Sequence, residues 1–349
     1  MKKLIFAYKT IHAYSLGVCL TIGFLFLGLA ISACSATNTS ATGPTVPALD
    51  VTNTYQAQLK SIIDQKHTEI AAAALTDAPT ITPSLTPTMT MTITLTGTIT
   101  TTPTKQPKKG ATQISPIDHM VQIYIPAGTF SQGSKQDPRY PPTSENPQRM
   151  VYLDGFWIDM TLVTNRMYRS CMAANQCDAI INNDTENQNF TSGGALDLPA
   201  VYVTWFNAQK YCNWIGGSLP TEAQWEKAAR GSGEARIYPW GNQDPNPSML
   251  NFNNLLGITT ISGSYPTGAS PYGVLDMAGN VRQWVADWFQ SDYYTVAPDR
   301  NPPGPATGTT KVLKGGGWND PAKYVRISSR LEHPPSSPGS NRGFRCAHP

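Results

Sequence analysis

The stretch 198–231, LPAVYVTWFNAQKYCNWIGGSLPTEAQWEKAARG, contains two short helices with their own start and stop signals. Thr204 can cap a helix over 205–215, which then ends at a pair of glycines. The run TEAQ at 221–224 is a capping box, in which the Thr and Gln side chains satisfy each other's free backbone donors. The second helix is predicted to end at Gly231. The stretch therefore predicts two helices joined by a short loop.

Outside this stretch the local patterns predict an α+β fold of short helices and strands with many loops. Val121–Ile125 alternates like a strand and stops at a Pro-Ala-Gly turn, and Thr164 can cap a helix running to about Ala173. All eight tryptophans lie in this part of the chain and are expected to fill its core rather than form a binding platform. Further short strands, separated by Gly, Pro and Asn, are predicted at 281–286, 311–313, 325–328 and 343–347.

The N-terminus has the order of a secretory signal. Three lysines without any acidic residue accompany an apolar stretch over 16–31. The run ISAC at 31–34 is typical of lipoprotein cleavage, in which the Cys34 thiol is acylated before residues 1–33 are removed. An uncleaved anchor helix is the alternative, but the apolar run is shorter than the roughly 20 residues that a membrane span needs. Both interpretations predict an extracytoplasmic protein tethered to a membrane.

The charge of the chain argues against nucleic acid as a partner. The formal net charge is +3, and removing the three lysines of the signal brings it to about zero (3 − 3 = 0). No basic stripe is present that could neutralise phosphates.

Residues 34–117 are predicted to be a disordered stalk rich in Thr, Pro and Ser. A short helix is expected at 54–76, where apolar residues lie three or four apart, but no second apolar face is available to pack against it. Between 76 and 104 there are 14 threonines and four prolines, which favours an extended spacer over strands. The globular domain is then expected to occupy 118–349.

Four cysteines lie in the predicted domain. An even number in an exported domain predicts two disulfides, and four cysteines allow three pairings. The short loop between Cys171 and Cys177 favours that pairing on closure entropy, which would leave Cys212 with Cys346. A zinc site built from the four thiols is disfavoured because no CxxC spacing occurs.

Seven segments, in this order, carry more information than any single motif: IPAGTFSQGS, VYLDGFWIDMTLVTNRMYRSC, LPAVYVTWFNAQKYCNWIGGSLPTEAQWEKAARG, YPWGN, YGVLDMAGNVRQWVADWF, VLKGGGWND and NRGFRCA. They resemble the formylglycine-generating enzyme, or sulfatase-modifying factor, family over roughly residues 120–347. The resemblance implies an irregular mixed α/β fold distantly related to C-type lectins. It also implies a disulfide between the cysteines of the YCNW and GFRC segments, which are Cys212 and Cys346 here.

Catalytic members of that family hold copper(I) with two thiols and oxidise a substrate Cys to formylglycine. The matching run in this chain, at 314–325, has Asp320 in the first thiol position and Val325 in the second. A carboxylate is a hard ligand and valine is no ligand, while no Cys occurs between Cys212 and Cys346. Copper and the family's oxidase mechanism are therefore not expected, and this chain is expected to be a divergent member without the catalytic cysteine pair.

The resemblance also implies calcium loops. The run GNVRQW places Asn280 and Gln283 in one of them, and the other would start at Asn251 and Phe252. Gln283 stands where an acidic residue is usual, and residues 253–261 contain no acid. Because calcium affinity follows ligand charge, calcium is only a weak candidate cofactor, with a stabilising role.

Two functions from different classes remain. An enzyme with other chemistry would have Asp320, Tyr324 and His333 as the titratable groups to test. A binding or scaffold module would recognise a peptide, glycan or protein ligand in a groove, although the same residues can also be structural. The side chains expected to flank that groove are Trp318, Asn319, Asp320, Arg330 and Arg342.

Overall fold

A computed structural model describes residues 106–135, 144–180, 196–233 and 236–349. The predicted signal peptide, Cys34 and the stalk helix at 54–76 lie outside these ranges. Among the residues that are described, no helix is both long and apolar enough to cross a bilayer.

The strands of the described residues form three sheets. The first is antiparallel and has the order β1 (Thr112–Ile114), β2 (Val121–Ile125), β5 (Phe156–Asp159) and β10 (Ala347–His348). The second pairs β3 (Gly128–Gln132) with β4 (Arg149–Leu153). The third is mixed, because β6 and β9 run parallel, and has the order β8 (Leu331–His333), β7 (Lys311–Lys314), β6 (Arg282–Trp288) and β9 (Arg342–Phe344).

The helices are α1 (Asn165–Ala173), α2 (Trp205–Trp214), α3 (Glu222–Arg230) and the single turn α4 (Tyr293–Val296). The first three begin at the predicted caps, whereas α4 was not predicted and has no side-chain cap. The Thr164 hydroxyl accepts a hydrogen bond from the first turn of α1, and the predicted capping box of α3 is formed. Helix α3 ends at Gly231, whose φ of 83° is a left-handed conformation that glycine adopts without strain. The predictions for these helices are confirmed because their signals are local.

The core consists of two large apolar clusters. Helix α3 packs against β3, β4, β6 and β7, and its Trp225 is fully buried in the first cluster. The second cluster surrounds Trp284 of β6 and includes α1, α2 and both disulfides. Trp205 joins that cluster, whereas Trp318 is only partly buried. Tryptophans therefore fill the centre of the fold, as expected, although Trp318 remains partly exposed.

Both predicted disulfides are present, one joining Cys171 to Cys177 and the other joining Cys212 to Cys346. The second one ties α2 to the short segment between β9 and β10. Because β9 and β10 belong to different sheets, this staple holds the point where the chain passes from one sheet to the other.

Three predicted boundaries are corrected by the structure. Strand β1 pairs with β2, so folded structure begins upstream of residue 118, in what was assigned to the stalk. Residues 343–347 are not one strand, because the chain changes sheets between β9 and β10. Residues 325–328 are not a strand either. All four side chains are buried, and Arg326 and Ser328 bind the carboxylate of Glu145.

Candidate functional site

The candidate site is built on the turn that follows β7. Gly315 and Gly316 both have positive φ, at 84° and 69°, so the chain reverses sharply after the strand. A Cβ on Gly316 would lie 2.8 Å from Val325 Cγ1, which shows how closely the turn packs on the next segment. The turn is fixed to the segment just before β6, because the backbone N–H of Trp318 donates to the Asn280 carbonyl at 2.8 Å. The predicted groove residues 318–320 therefore sit on a rigid turn.

Asp320 is held by two sets of donors. Its carboxylate accepts a two-pronged ion pair from Arg282, and Oδ2 also accepts from the Gly317 N–H at 2.8 Å. The residue is 4% exposed. A carboxylate that is bound in this way by a guanidinium is not available as a general base, so the geometry does not support a catalytic role for Asp320.

Val325, which occupies the second copper-thiol position of the family, is fully buried. It packs in a small apolar cluster with Tyr238, Leu250, Phe252 and Ala278. A residue in this position has no lone pair to offer to a metal. Asp320 and Val325 thus have structural surroundings, one ionic and one apolar.

Arg330 does not lie in the groove, and this prediction is wrong. Its Nε and Nη2 donate to the two carboxylate oxygens of Glu222 at 2.7 and 3.0 Å, and its side chain is buried. The guanidinium lies over the rings of Phe289 and Tyr294. Arg330 was misplaced because its partner is 108 residues away in the sequence.

Arg342 is partly buried at the start of β9. Its Nη1 donates to the carbonyls of Ser337 and Pro338, so the preceding loop wraps around one end of the guanidinium. Burial, and then the positive charge of Arg282, lower the pKa of Arg342. His333, at the end of β8, has its pKa lowered by burial and by the charges of Arg342 and Arg282. The structure thus brings the two guanidiniums and this imidazole within electrostatic range of one another.

Trp318 and Asn319 contact the segment just before Arg342, whereas Tyr324, a candidate catalytic residue, lies further along the chain. The Trp318 indole N–H donates to the Ser340 carbonyl at 3.3 Å, two residues before Arg342. Asn319 is exposed, and its side-chain oxygen accepts from Asn341. Tyr324 is partly buried, with the Lys323 ammonium 4.6 Å from its ring centre. In the described part of the structure, Tyr324 does not contact the carboxylate of Asp320. These two titratable groups therefore do not form one catalytic set.

The predicted calcium ligands are already occupied by protein groups. The Asn280 side chain exchanges two hydrogen bonds with the backbone of Thr260. Gln283 Oε1 accepts from both Trp225 and Arg345, which uses both of its lone pairs. These two side chains therefore do not fit calcium.

The second calcium loop offers little more. Asn251 donates to the Ile258 carbonyl and keeps one buried amide oxygen without a partner, whereas the Phe252 carbonyl accepts from Leu255. Across the residues that the structure describes, no group of three His, Cys, Asp or Glu side chains could hold a metal. One amide oxygen without a carboxylate is a poor calcium site.

A family model for the sulfatase-modifying factor enzyme 1-like domain matches residues 105–349. The chain belongs to the sulfatase-modifying factor family. It is 30% identical over 278 residues to the formylglycine-generating enzyme of Streptomyces coelicolor, with 65% of this chain and 88% of that protein covered. It is also 35% identical over 239 residues to serine/threonine-protein kinase pkn1 of Chlamydia caviae, with 64% of this chain covered. The chain spans 37% of the length of that relative.

Among solved structures, PvdO from Pseudomonas aeruginosa has the same fold, with a TM-score of 0.60 and 24% identity over 70% of this chain and 99% of that one. The expected α+β architecture of the sulfatase-modifying factor family is therefore confirmed.

Copper, the metal that the family resemblance implies, does not fit this chain. The two ligand positions hold an ion-paired carboxylate and a buried valine, and all four cysteines of the domain form disulfides.

The sequence analysis did not identify Arg282, the residue that neutralises the Asp320 carboxylate. Arg282 lies two residues after the calcium candidate Asn280, at the start of a predicted strand, so its position was visible in the sequence. Its partner was not, because that depends on how the turn after β7 folds.

Proposed function

We propose that this chain is a divergent sulfatase-modifying-factor protein, exported and anchored in a membrane through Cys34, whose domain binds a ligand without copper chemistry. The observation that carries the proposal is the ion pair between Arg282 and Asp320. It fills the position of the first copper thiol with a hard anion already neutralised inside the protein. The ligand is a peptide, a glycan or a protein; the near-zero charge of the mature chain does not favour nucleic acid.

The names of the relatives do not transfer their activities. This chain spans little more than a third of the chlamydial kinase, and its sequence contains no phosphate-binding glycine loop of the kind that phosphoryl transfer uses. The formylglycine-generating relatives match over most of their length, so their reaction is the one to test.

The test incubates the full-length protein, solubilised in detergent, with a peptide that contains Cys-x-Pro-x-Arg, with and without added copper. Mass spectrometry follows the conversion of the thiol to an aldehyde, with the Streptomyces coelicolor enzyme as the positive control. We expect no conversion and no stoichiometric copper in the purified protein. Aldehyde formation, or one copper per chain, would end the proposal of a non-catalytic domain.

The anchor is tested separately. In a bacterial host fed with labelled palmitate, the protein should carry the label and sediment with membranes. The Cys34→Ser variant should lose the label, because the thiol is the only acceptor in the predicted cleavage sequence. Equal labelling of the variant would show that the lipid is attached at another residue, which would contradict the proposed anchor at Cys34.

We also propose that the domain folds without bound calcium, since the oxygen atoms of Asn280 and Gln283 already accept hydrogen bonds within the protein. A ligand that binds only the native state raises Tm with its concentration. We therefore expect the same Tm in EDTA and in millimolar calcium, and a concentration-dependent rise with calcium would contradict this.

A further inference from the structure

Two arginines stand side by side at one end of the mixed sheet. Arg282 and Arg342 are the first residues of β6 and β9, and the parallel register pairs them directly. Neighbouring strands lie about 4.8 Å apart, and paired residues point to the same face. Like charges placed this close repel each other, so the arrangement calls for anions to balance it.

Among the residues that the structure describes, only one of the two arginines has an anionic partner. Arg282 uses its Nε and Nη2 edge to bind both carboxylate oxygens of Asp320, which is the geometry that guanidinium and carboxylate prefer. Arg342 forms no salt bridge with any of the described residues, and its Nη1 is bound only to neutral oxygens of the Ser337–Pro338 loop. The loop therefore fixes the side chain without neutralising it.

The unused edge of Arg342 is the same one that Arg282 gives to Asp320. Arg342 Nε is buried without a hydrogen-bond partner in the described structure, and Nη2 donates to no described residue. His333 Nδ1 is a second buried nitrogen without a partner. Most buried polar groups in folded proteins have a hydrogen-bond partner, so the unused Nε and Nη2 groups of Arg342, which also has no anion among the described residues, point to an external acceptor.

The charge balance favours a singly charged ligand. Arg282 and Asp320 neutralise each other, and burial together with the two guanidiniums lowers the pKa of His333, which keeps the imidazole neutral at pH 7. Arg342 is then left with one uncompensated positive charge. A carboxylate matches it, whereas a doubly charged phosphate would bring one negative charge too many.

An apolar loop adjoins the turn that carries Trp318 and Asp320. Asn253 N–H and Asn254 N–H donate to the carbonyls of Asp320 and Trp318, which ties the loop 253–258 to the turn that carries Trp318. Three apolar side chains of this loop are half exposed or more, and contiguous exposed apolar surface marks binding sites. They are Leu255 at 50%, Leu256 at 57% and Ile258 at 59% exposure.

We infer that Arg342, next to Arg282, binds a carboxylate carried by an apolar group, such as the C-terminal residue of a peptide. The carboxylate would approach Arg342 from its Nη2 end, and the apolar group would lie toward Trp318 and the loop 253–258. This inference rests on the proposed binding function and specifies its ligand.

The test uses N-acetyl-leucine, N-acetyl-leucinamide and inorganic phosphate as probes against the full-length protein in detergent, with saturation-transfer NMR and a titration as readouts. The acid should bind at least about ten-fold more tightly than the amide, because only the acid offers a bidentate anion. Phosphate should bind more weakly than the acid. Equal binding of acid and amide, no binding of the acid, or stronger binding of phosphate would overturn the inference.

Two variants locate the site. Arg342→Gln should lower the affinity for the acid about ten-fold or more, and Arg342→Lys should lower it several-fold, since Lys keeps the charge but loses the two-pronged edge. Arg300→Gln is the matched control, because Arg300 is an exposed arginine paired with Asp154, and it should bind the acid normally. Unchanged affinity in Arg342→Gln, with an unchanged Tm to show that the variant folds, would remove the site. Copper binding or aldehyde formation in the earlier assay would refute the proposed non-catalytic function, whereas the results named here would refute only the carboxylate site. The two failures can therefore be told apart.

Discussion

Arg282 binds both carboxylate oxygens of Asp320, with Nε to Oδ2 at 2.7 Å and Nη2 to Oδ1 at 2.5 Å. The pair connects the first residue of β6 to the turn after β7 and so holds the wall of the candidate site in place. Asp320 closes the same turn on itself by accepting from the Gly317 N–H.

Replacing Asp320 by Asn should therefore destabilise the protein. The amide keeps one acceptor but loses the charge, and its NH₂ group would face a guanidinium, so we expect the free energy of unfolding to fall by about 1–3 kcal/mol. Urea titration of the full-length protein measures this. Asp299→Asn is the control, since Asp299 is 87% exposed in its pair with Arg149 and its loss should cost less than about 1 kcal/mol. Equal losses in the two variants would show that the Asp320 pair is not structural.

How far the sequence could predict the fold depends on how local each signal is. The caps of α1 and α3 were predictable because Thr164 and Thr221 bind backbone groups within their own first turns. The segment 325–328 was not, because burial on both faces hid the ion pair of Arg326 with Glu145, 181 residues away.

The candidate site follows the same rule. Trp318, Asn319 and Asp320 lie together because they are consecutive on one turn, and their role in a groove stays a prediction. Arg330 was placed wrongly, and Arg282 was missed, because a sequence does not show which acid an arginine will face. Only the register of β6 with β9 shows that Arg282 and Arg342 are neighbours.

The buried pair of Arg330 with Glu222 gives a second prediction. Lys314 lies near the same acids, with its ammonium 3.3 Å from Glu226 and 3.7 Å from Glu222. Arg330→Met should lower the free energy of unfolding by about 3–5 kcal/mol, because it leaves a buried carboxylate without its main partner. Lys210→Met is the matched control, since the pair of Lys210 with Asp178 is exposed and should contribute less than about 1 kcal/mol. A loss below that of the control would show that Lys314 alone compensates Glu222.

The pH dependence of stability should depend on Asp287. Burial, and then the nearby charge of Glu222, raise the pKa of this carboxyl from 3.8 to about 7. Between pH 4 and 7 the native state therefore holds a proton that the unfolded state has released, so this group makes stability fall as pH rises, by up to about 1.4 kcal/mol per pH unit. The stabilisation is fully present below the unfolded pKa and is lost as pH passes the folded one.

Asp287→Asn should remove that slope and be more stable than the wild type above pH 7. The amide oxygen can still accept from the Glu222 N–H, which the carboxylate now binds at 2.7 Å. The measurement is Tm against pH from 5 to 8 for both proteins, with the exposed Asp244→Asn as the control. A variant curve parallel to the wild-type curve across this range would show that Asp287 is ionised throughout.

The two disulfides should differ in what they contribute. Closing a loop in the unfolded chain costs more entropy for longer loops, and the sequence separations are 134 residues for Cys212–Cys346 and 6 for Cys171–Cys177. The loop-entropy relation gives about 5 kcal/mol for the long loop and about 2 kcal/mol for the short one. We expect the double replacement of Cys212 and Cys346 by Ala to unfold at much lower urea concentration than that of Cys171 and Cys177. The long-range pair also holds the crossing between the two large sheets, so its loss should separate β10 from β5 before the rest unfolds. Hydrogen exchange at Asp159, whose N–H donates to the Cys346 carbonyl, would detect this. Equal midpoints for the two double variants would mean that the unfolded chain already keeps the ends of the long loop together.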